Sequence, residues 1–239
     1  MKALYRRYRP QSLEEVVAEK QVTEPLLASL EKGQIGHAYL FVGPRGCGKT
    51  SVARILAHQI NGFKYELEDN YLDIIEIDAA SNTGVDNIRE LRERAVVAPV
   101  EGKYKVYIID EVHMLSTPAF NAFLKTLEEP PKHVIFILAT TEKHKIIPTI
   151  LSRCQIFDFN RISIHHITER LQFVADSEHI TADPDALSII AQKADGAMRD
   201  ALSIFDQIVS FSGNNITYNT TIENLNVLNY DYYFRITTA

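Results

Sequence analysis

An α/β fold with a central parallel sheet, followed by a smaller all-helical domain, is predicted by three observations. Short apolar runs at 37–42, 71–77, 104–109 and 134–139 alternate with stretches whose apolar residues recur at helical spacing. That alternation is the pattern of strands joined by crossover helices, which gives a parallel sheet covered on both faces. Several of these runs end in glycine, acidic or hydroxyl residues, namely Gly43, Asp110-Glu111 and Thr140-Thr141, and ligands of such sheets bind at the carboxyl ends of the strands. After Phe159 the strand-like runs stop, and helical patterns follow near 163–177, 183–194, 197–211 and 217–226. The expected division is therefore 1–160 for the sheet domain and 161–228 for the helical one. Residues 229–239 read as the start of a further domain, because Tyr230-Asp231-Tyr232-Tyr233-Phe234 carries more aromatics than an exposed end favours.

Taken in order, Pro10 argues against a helix before Ser12, which is placed to cap a short one. Thr23 reads as the N-cap of a helix over 23–32, with Leu26, Leu27 and Leu30 on one face and Gly33 as its stop. His37 to Val42 is a buried strand, and Val52, Ile55 and Leu56 lie on one face of the helix that follows the intervening glycine-rich loop. Asn61-Gly62 breaks that helix, and a polar connection leads to the β-branched run Tyr71 to Ile77. Val85, Ile88, Leu91 and Ala95 keep helical period up to Pro99. Tyr104 to Glu111 is the next buried strand. Thr117-Pro118 opens a helix carrying Phe120, Phe123, Leu124 and Leu127, Glu129-Pro130-Pro131 ends it, and Val134 to Ala139 is a further strand.

The chemistry sits at two of the strand ends. Gly43-Pro44-Arg45-Gly46-Cys47-Gly48-Lys49-Thr50 fits G-x-x-x-x-G-K-[ST] in the strand–loop–helix context that the pattern requires. The glycines let backbone N–H groups turn inward on a polyphosphate at the positive end of the following helix. Lys49 is then expected to reach the β- and γ-phosphates, and Thr50 to offer its hydroxyl to Mg²⁺. Asp110 is placed to hold the same ion, and Glu111 to polarise the attacking water as a general base. Taken alone, an apolar run ending in Asp-Glu is also an ordinary strand-end turn. Gly43, Asp110 and Thr141 all lie at carboxyl ends and are expected to meet.

Composition narrows the partners. The net charge of −6, from 25 Lys+Arg against 31 Asp+Glu, argues against nucleic-acid binding by bulk electrostatics, so any DNA contact must be local. With only Cys47 and Cys154 present, there is neither a disulfide framework nor a four-cysteine zinc site. No apolar run is long enough to span a bilayer, and the basic N-terminus lacks a signal core, so a cytoplasmic location is expected.

Several motifs together resemble the AAA+ ATPases and, within them, the bacterial clamp-loader family. They are Tyr8-Arg9-Pro10, the loop Gly43 to Thr50, Asp110-Glu111-Val112-His113-Met114-Leu115, Lys125 to Pro131, Leu151-Ser152-Arg153-Cys154 and Met198-Arg199-Asp200-Ala201-Leu202. The resemblance covers nearly all of the chain, and the Ser-Arg-Cys element is its most specific part. It implies an AAA+ P-loop NTPase domain with a helical lid, and ATP and Mg²⁺ as cofactors. Nucleotide contacts are implied for Tyr8, Arg9, Pro10, Val17 and the run Gly43, Pro44, Arg45, Gly46, Cys47, Gly48, Lys49, Thr50, Ser51. Thr141 matches the family's first sensor and Arg199 the second, although from the residues alone a surface ion pair of Arg199 with Asp195 or Asp200 is the better reading. Arg153 matches the arginine finger, which serves the neighbouring subunit's site.

The partners implied are other clamp-loader subunits in a hetero-pentamer, a sliding clamp and primer–template DNA, with no membrane and no zinc. The loop Ser81-Asn82-Thr83 lies where such proteins meet the DNA backbone, and reads equally as a solvated loop. The chain departs from the family in a short cysteine-free connection where a zinc module is usual, in Ala18-Glu19 where Gly-Gln is usual, and in lacking the collar domain. Two other readings are a branch-migration helicase of the same fold and a structural subunit that offers Arg153 without hydrolysing ATP.

Overall fold

The apolar runs at 38–42, 105–110 and 134–140 lie side by side as the middle of a five-stranded sheet. The computed structural model describes residues 3–66, 71–81 and 84–225. In chain order its elements are α1 (Leu4–Arg7), α2 (Lys20–Glu31), β1 (Ala38–Val42), α3 (Lys49–Asn61), β2 (Ile74–Asp78), α4 (Val85–Ala95), β3 (Lys105–Asp110), α5 (Thr117–Glu128), β4 (Val134–Thr140), α6 (Pro148–Leu151) and β5 (Gln155–Asp158). These are followed by α7 (Ile164–Ser177), β6 (Thr181–Ala182), α8 (Pro184–Lys193), α9 (Met198–Ser212), β7 (Asn215–Ile216) and α10 (Tyr218–Leu225). Among the described residues no helix is long and apolar enough to cross a membrane.

Residues 10–160 form one unit, whose sheet order is β2-β3-β4-β1-β5 with every pairing parallel. Side chains alternate between its faces, as the pleat requires. Leu40, Tyr107, Ile109, Phe136 and Leu138 face one core with Ile88 and Leu91 of α4 and Phe120, Phe123 and Leu127 of α5. Tyr39, Phe41, Val106, Ile108, Ile135 and Ile137 face the other, with Leu26 of α2 and Val52, Ile55 and Leu56 of α3. A helix layer on each face explains why β1, β3 and β4 read as near-continuous apolar runs.

Two features of this unit differ from the expectation. Thr23 is not a cap: α2 begins at Lys20 with Glu19 at the N-cap position, and the Thr23 N–H donates to the Glu19 carbonyl at 2.9 Å. Pro25 sits inside the helix. Ser12 caps no helix, since 11–18 forms turns and bends, whereas one helical turn does form before Pro10 at Leu4–Arg7.

Residues 3–9 and 161–225 form the second unit. Its core is made by Ile167, Leu171 and Val174 of α7, Leu187 and Ile190 of α8, and Leu202, Phe205 and Ile208 of α9. The division expected from the sequence keeps 1–9 with the sheet, whereas the structure joins 3–9 to the helices. The cause is specific pairing: the Leu4 N–H donates to Asp206, Arg7 pairs with Glu178 at 2.8 Å, and the Tyr8 hydroxyl donates to Glu178 at 2.5 Å. Strands do not stop after Phe159 either, because β6 and β7 form a short parallel pair. The expected start of a further domain at 229–239 lies outside the described residues.

Candidate active site

β4 lies between β3 and β1, so the carboxyl ends of the three strands are adjacent, with Val42 in register with Thr140. The loop leaves β1 at Gly43, whose N–H donates to the Thr140 carbonyl at 3.2 Å. Gly43 has φ +155°, and a Cβ there would meet the Phe159 carbonyl oxygen at 2.5 Å, so no side chain fits. Gly48, the N-cap of α3, has φ +103°, in the left-handed region open to glycine.

Lys49 is 5% exposed, and its Nζ donates to the carbonyls of Gly43 and Pro44, each at 2.7 Å. An ammonium carries three donors and is costly to bury unpaired. Its third donor has no protein acceptor among the described residues, which fits an anionic oxygen in the loop. The Cys47 thiol donates to the Pro44 carbonyl at 2.8 Å, and burial pushes its pKa up, so it remains protonated. Ser51 is buried behind the loop and Arg45 is exposed.

The Thr50 hydroxyl donates to Asp110 Oδ2 at 2.7 Å across 60 residues of sequence. The other Asp110 oxygen accepts the Glu111 N–H at 3.0 Å. A hydroxyl and a carboxylate oxygen so placed suit a hard cation that takes oxygen ligands. Glu111 has φ +48° and ψ 44°, a conformation that costs a residue with a Cβ about 1–2 kcal/mol. Its carboxylate turns toward the end of β4, where Oε2 accepts from the Thr141 hydroxyl at 3.0 Å and from its N–H at 3.3 Å. The structure thus brings together Gly43, Lys49, Thr50, Asp110, Glu111 and Thr141.

Arg153 follows α6, where it donates to the Thr149 carbonyl at 2.8 Å and to Glu128 Oε1 at 2.9 Å. Arg199, on the helical unit, stacks its guanidinium 5.2 Å from the Tyr5 ring centroid, and the Asp195 carboxylate pairs with Arg161. Tyr8 and Arg9 belong to the helical unit and Pro10 and Val17 to the sheet unit. Of the loop expected at DNA, Ser81 donates to Asp78 at 2.9 Å, while Asn82 and Thr83 lie outside the described residues.

Two residues were not singled out as site residues on sequence grounds. His113 Nδ1 lies 3.3 Å from Glu111 Oε2. Glu19 is 1% exposed, and its carboxyl accepts from the Asn160 N–H at 3.0 Å and from the Gln21 amide at 2.5 Å. Burial raises its pKa from 4.5 to about 7, and it lies close enough to Cys47 to act on that thiol. The preceding Ala18 takes φ +61°. A Gly-Gln pair suits these positions better on both counts, since glycine relieves the backbone and an amide buries no charge.

The raised pKa of Glu19 means that the folded chain binds a proton more tightly, so stability falls as pH rises from about 4.5 to about 7 and stays lowered above. Glu19→Gln is expected to recover on the order of 3 kcal/mol at pH 8 and much less at pH 4. Urea unfolding at the two pH values checks this.

Residues 18–163 match the family model described as DNA polymerase III, delta subunit. Residues 166–214 match the one described as DNA polymerase III clamp loader subunit, ATPase lid domain. The chain is 52% identical over 225 residues to the DNA polymerase III subunit tau of Bacillus subtilis, covering 88% of this chain and 40% of that protein. It is 43% identical over 242 residues to the gamma/tau subunit of Mycobacterium tuberculosis, covering 94% and 42%. It is 46% identical over 221 residues to the tau subunit of Escherichia coli, covering 87% and 34%. The chain therefore spans about two fifths or less of the length of these relatives. Among solved structures, the Holliday junction branch migration motor RuvB of Thermotoga maritima has a TM-score of 0.72 at 21% identity, covering 93% of this chain and 73% of that one. At that identity the likeness to RuvB shows the fold alone, whereas the polymerase III subunits share sequence along most of the chain. This chain belongs to the DNA polymerase III gamma/tau family of clamp-loader subunits.

Proposed function

We propose that this chain is the ATP-hydrolysing motor module of a bacterial DNA polymerase III clamp loader, which loads a sliding clamp onto primer–template DNA in the cytoplasm. The observation that carries the reading is the 2.7 Å contact of Thr50 with Asp110, with Glu111 anchored beside it by Thr141. Lys49 and the N–H groups of Gly46 to Thr50 would bind the terminal phosphates of ATP. Thr50 and Asp110 would hold Mg²⁺, which when bound neutralises charge on the phosphate oxygens. Thr141 keeps one oxygen of Glu111 engaged, and Glu111 accepts the proton of the attacking water.

Arg153 acts in trans on a neighbouring subunit's site, and Arg199 contacts nucleotide from the lid. The family resemblance is what supports nucleotide contacts for Tyr8, Arg9, Pro10 and Val17. Assembly with other clamp-loader subunits makes the site complete, and hydrolysis is then tied to release of clamp and DNA. The assembled Lys49, Thr50, Asp110 and Glu111 favour this reading over a purely structural subunit, which needs no such cluster.

The test is Lys49→Ala. It removes a charged donor from the phosphate loop and is expected to weaken nucleotide binding about tenfold to hundredfold. Titration with a fluorescent ATP analogue measures it. Unchanged affinity would show that the loop does not bind phosphate, and binding without turnover in the assembled complex would favour the structural subunit.

A further inference from the structure

The proposed base has two chemically unequal oxygens. Glu111 Oε2 accepts from the hydroxyl and N–H of Thr141 and lies 3.3 Å from His113 Nδ1, whereas Oε1 accepts no hydrogen bond among the described residues. His113 stands on the 3₁₀ turn Val112–Met114 that follows Glu111, with its side chain 6% exposed. Its Nδ1 is also 3.0 Å from the Thr140 hydroxyl, and its Nε2 is 3.4 Å from Glu142 Oε1. Glu142 is held in turn by Lys145 at 2.8 Å, faces His144 at 3.5 Å, and donates its N–H to the Thr140 hydroxyl at 3.0 Å. The imidazole therefore sits wedged between two carboxylates and the end of β4.

We propose that His113 is a positioning residue for ATP hydrolysis, which fixes Glu111 by Oε2 and so leaves Oε1 directed at the water. The proposal rests on Glu111 being the base. Glu111 leaves its strand in a left-handed conformation, and a side chain on such a turn keeps its rotamer only where neighbours hold it. Thr141 supplies contacts from β4. His113 supplies the opposing contact from the turn itself, and the Glu142–Lys145 pair fixes the ring from behind. Nδ1 shares a hydrogen bond with the Thr140 hydroxyl at 3.0 Å and stands 3.3 Å from Glu111 Oε2, so the ring braces that oxygen against the end of β4, while Nε2 faces Glu142.

The two ring nitrogens make the proposal testable. Asparagine places an amide near the position of Nδ1, and glutamine places one near Nε2. In the full-length protein within its assembled complex, His113→Ala is expected to lower kcat about tenfold to hundredfold with ATP affinity unchanged. His113→Asn should restore most of that loss and His113→Gln little. Combined with Glu111→Gln, His113→Ala should add no further loss, because the two act through one group.

The Asn and Gln variants keep the test open if the alanine variant fails to fold. The proposal fails if His113→Ala retains or exceeds the original kcat, if ATP affinity falls in step with kcat, or if Asn and Gln restore activity equally. Turnover by Glu111→Gln at the original rate would instead overturn the assignment of the base, and the positioning role with it.

Discussion

Glu111→Gln is expected to lower kcat for ATP hydrolysis about 10²–10⁴-fold, the range that general-base catalysis contributes, while ATP affinity stays unchanged. The substitution is nearly isosteric. Its amide oxygen can still accept from the Thr141 hydroxyl, now 3.0 Å from Oε2, so the turn at Glu111 keeps its shape. What disappears is the basic oxygen that takes the proton of water. Lys49, Thr50 and Asp110 are untouched, so the groups proposed to hold nucleotide and metal remain. Single-turnover hydrolysis together with equilibrium ATP binding measures both sides. A loss of binding equal to that of Lys49→Ala would contradict the separate roles assigned to the two residues.

Arg153→Ala is expected to reduce hydrolysis in the assembled complex about 10³–10⁵-fold, the range of an arginine supplied in trans, and to leave ATP binding by its own chain unaltered. The geometry explains why it is free for such a role. Its guanidinium is bound to Glu128 at 2.9 Å and to the Thr149 carbonyl, with the side chain about one third exposed. An ion pair of that exposure stabilises by only about 0–1 kcal/mol, so a neighbour's phosphate can displace it and the variant should fold normally. The measurement is the specific ATPase rate across a wide range of protein concentration, with Arg153→Ala alongside. A rate that rises with concentration only for the unsubstituted chain supports sites shared between subunits. Impaired ATP binding by isolated Arg153→Ala protein would mean that the finger is misassigned.

The phosphate loop was legible in the sequence because its requirements are local. Gly43 and Gly48 are needed where backbone approach or positive φ excludes other residues, and Lys49 and Thr50 follow at a spacing set by the turn itself. The strands β1, β3 and β4 were legible for a related reason: burial on both faces leaves no polar alternation to obscure them. The helices α7, α8 and α9 announced themselves by period and by starts such as Asp183-Pro184. The start of α2 did not, because Thr23 is a favoured cap residue type, whereas the helix starts at Lys20 without a side-chain cap. The pair β6 and β7 is two residues long in each strand, too short for any periodicity to register.

The sequence alone thus determined the fold class, the phosphate loop, the carboxylate pair and the family resemblance, since each is encoded within a turn or two of chain. Only the tertiary structure decided which strand ends become neighbours. Placing β4 between β3 and β1 is a pairing of segments far apart in sequence, and it is this order that sets Thr141 against Glu111 and Gly43 beside Thr140. The same holds for His113 beside Glu142, for Glu19 beneath the Asn160 amide, and for the N-terminal turn on Asp206 and Glu178. Apart from Glu19, which departs from the family pattern, none of these residue types is unusual where it stands in the chain. Their significance comes from desolvation and from partners brought close by packing, and a linear pattern records neither.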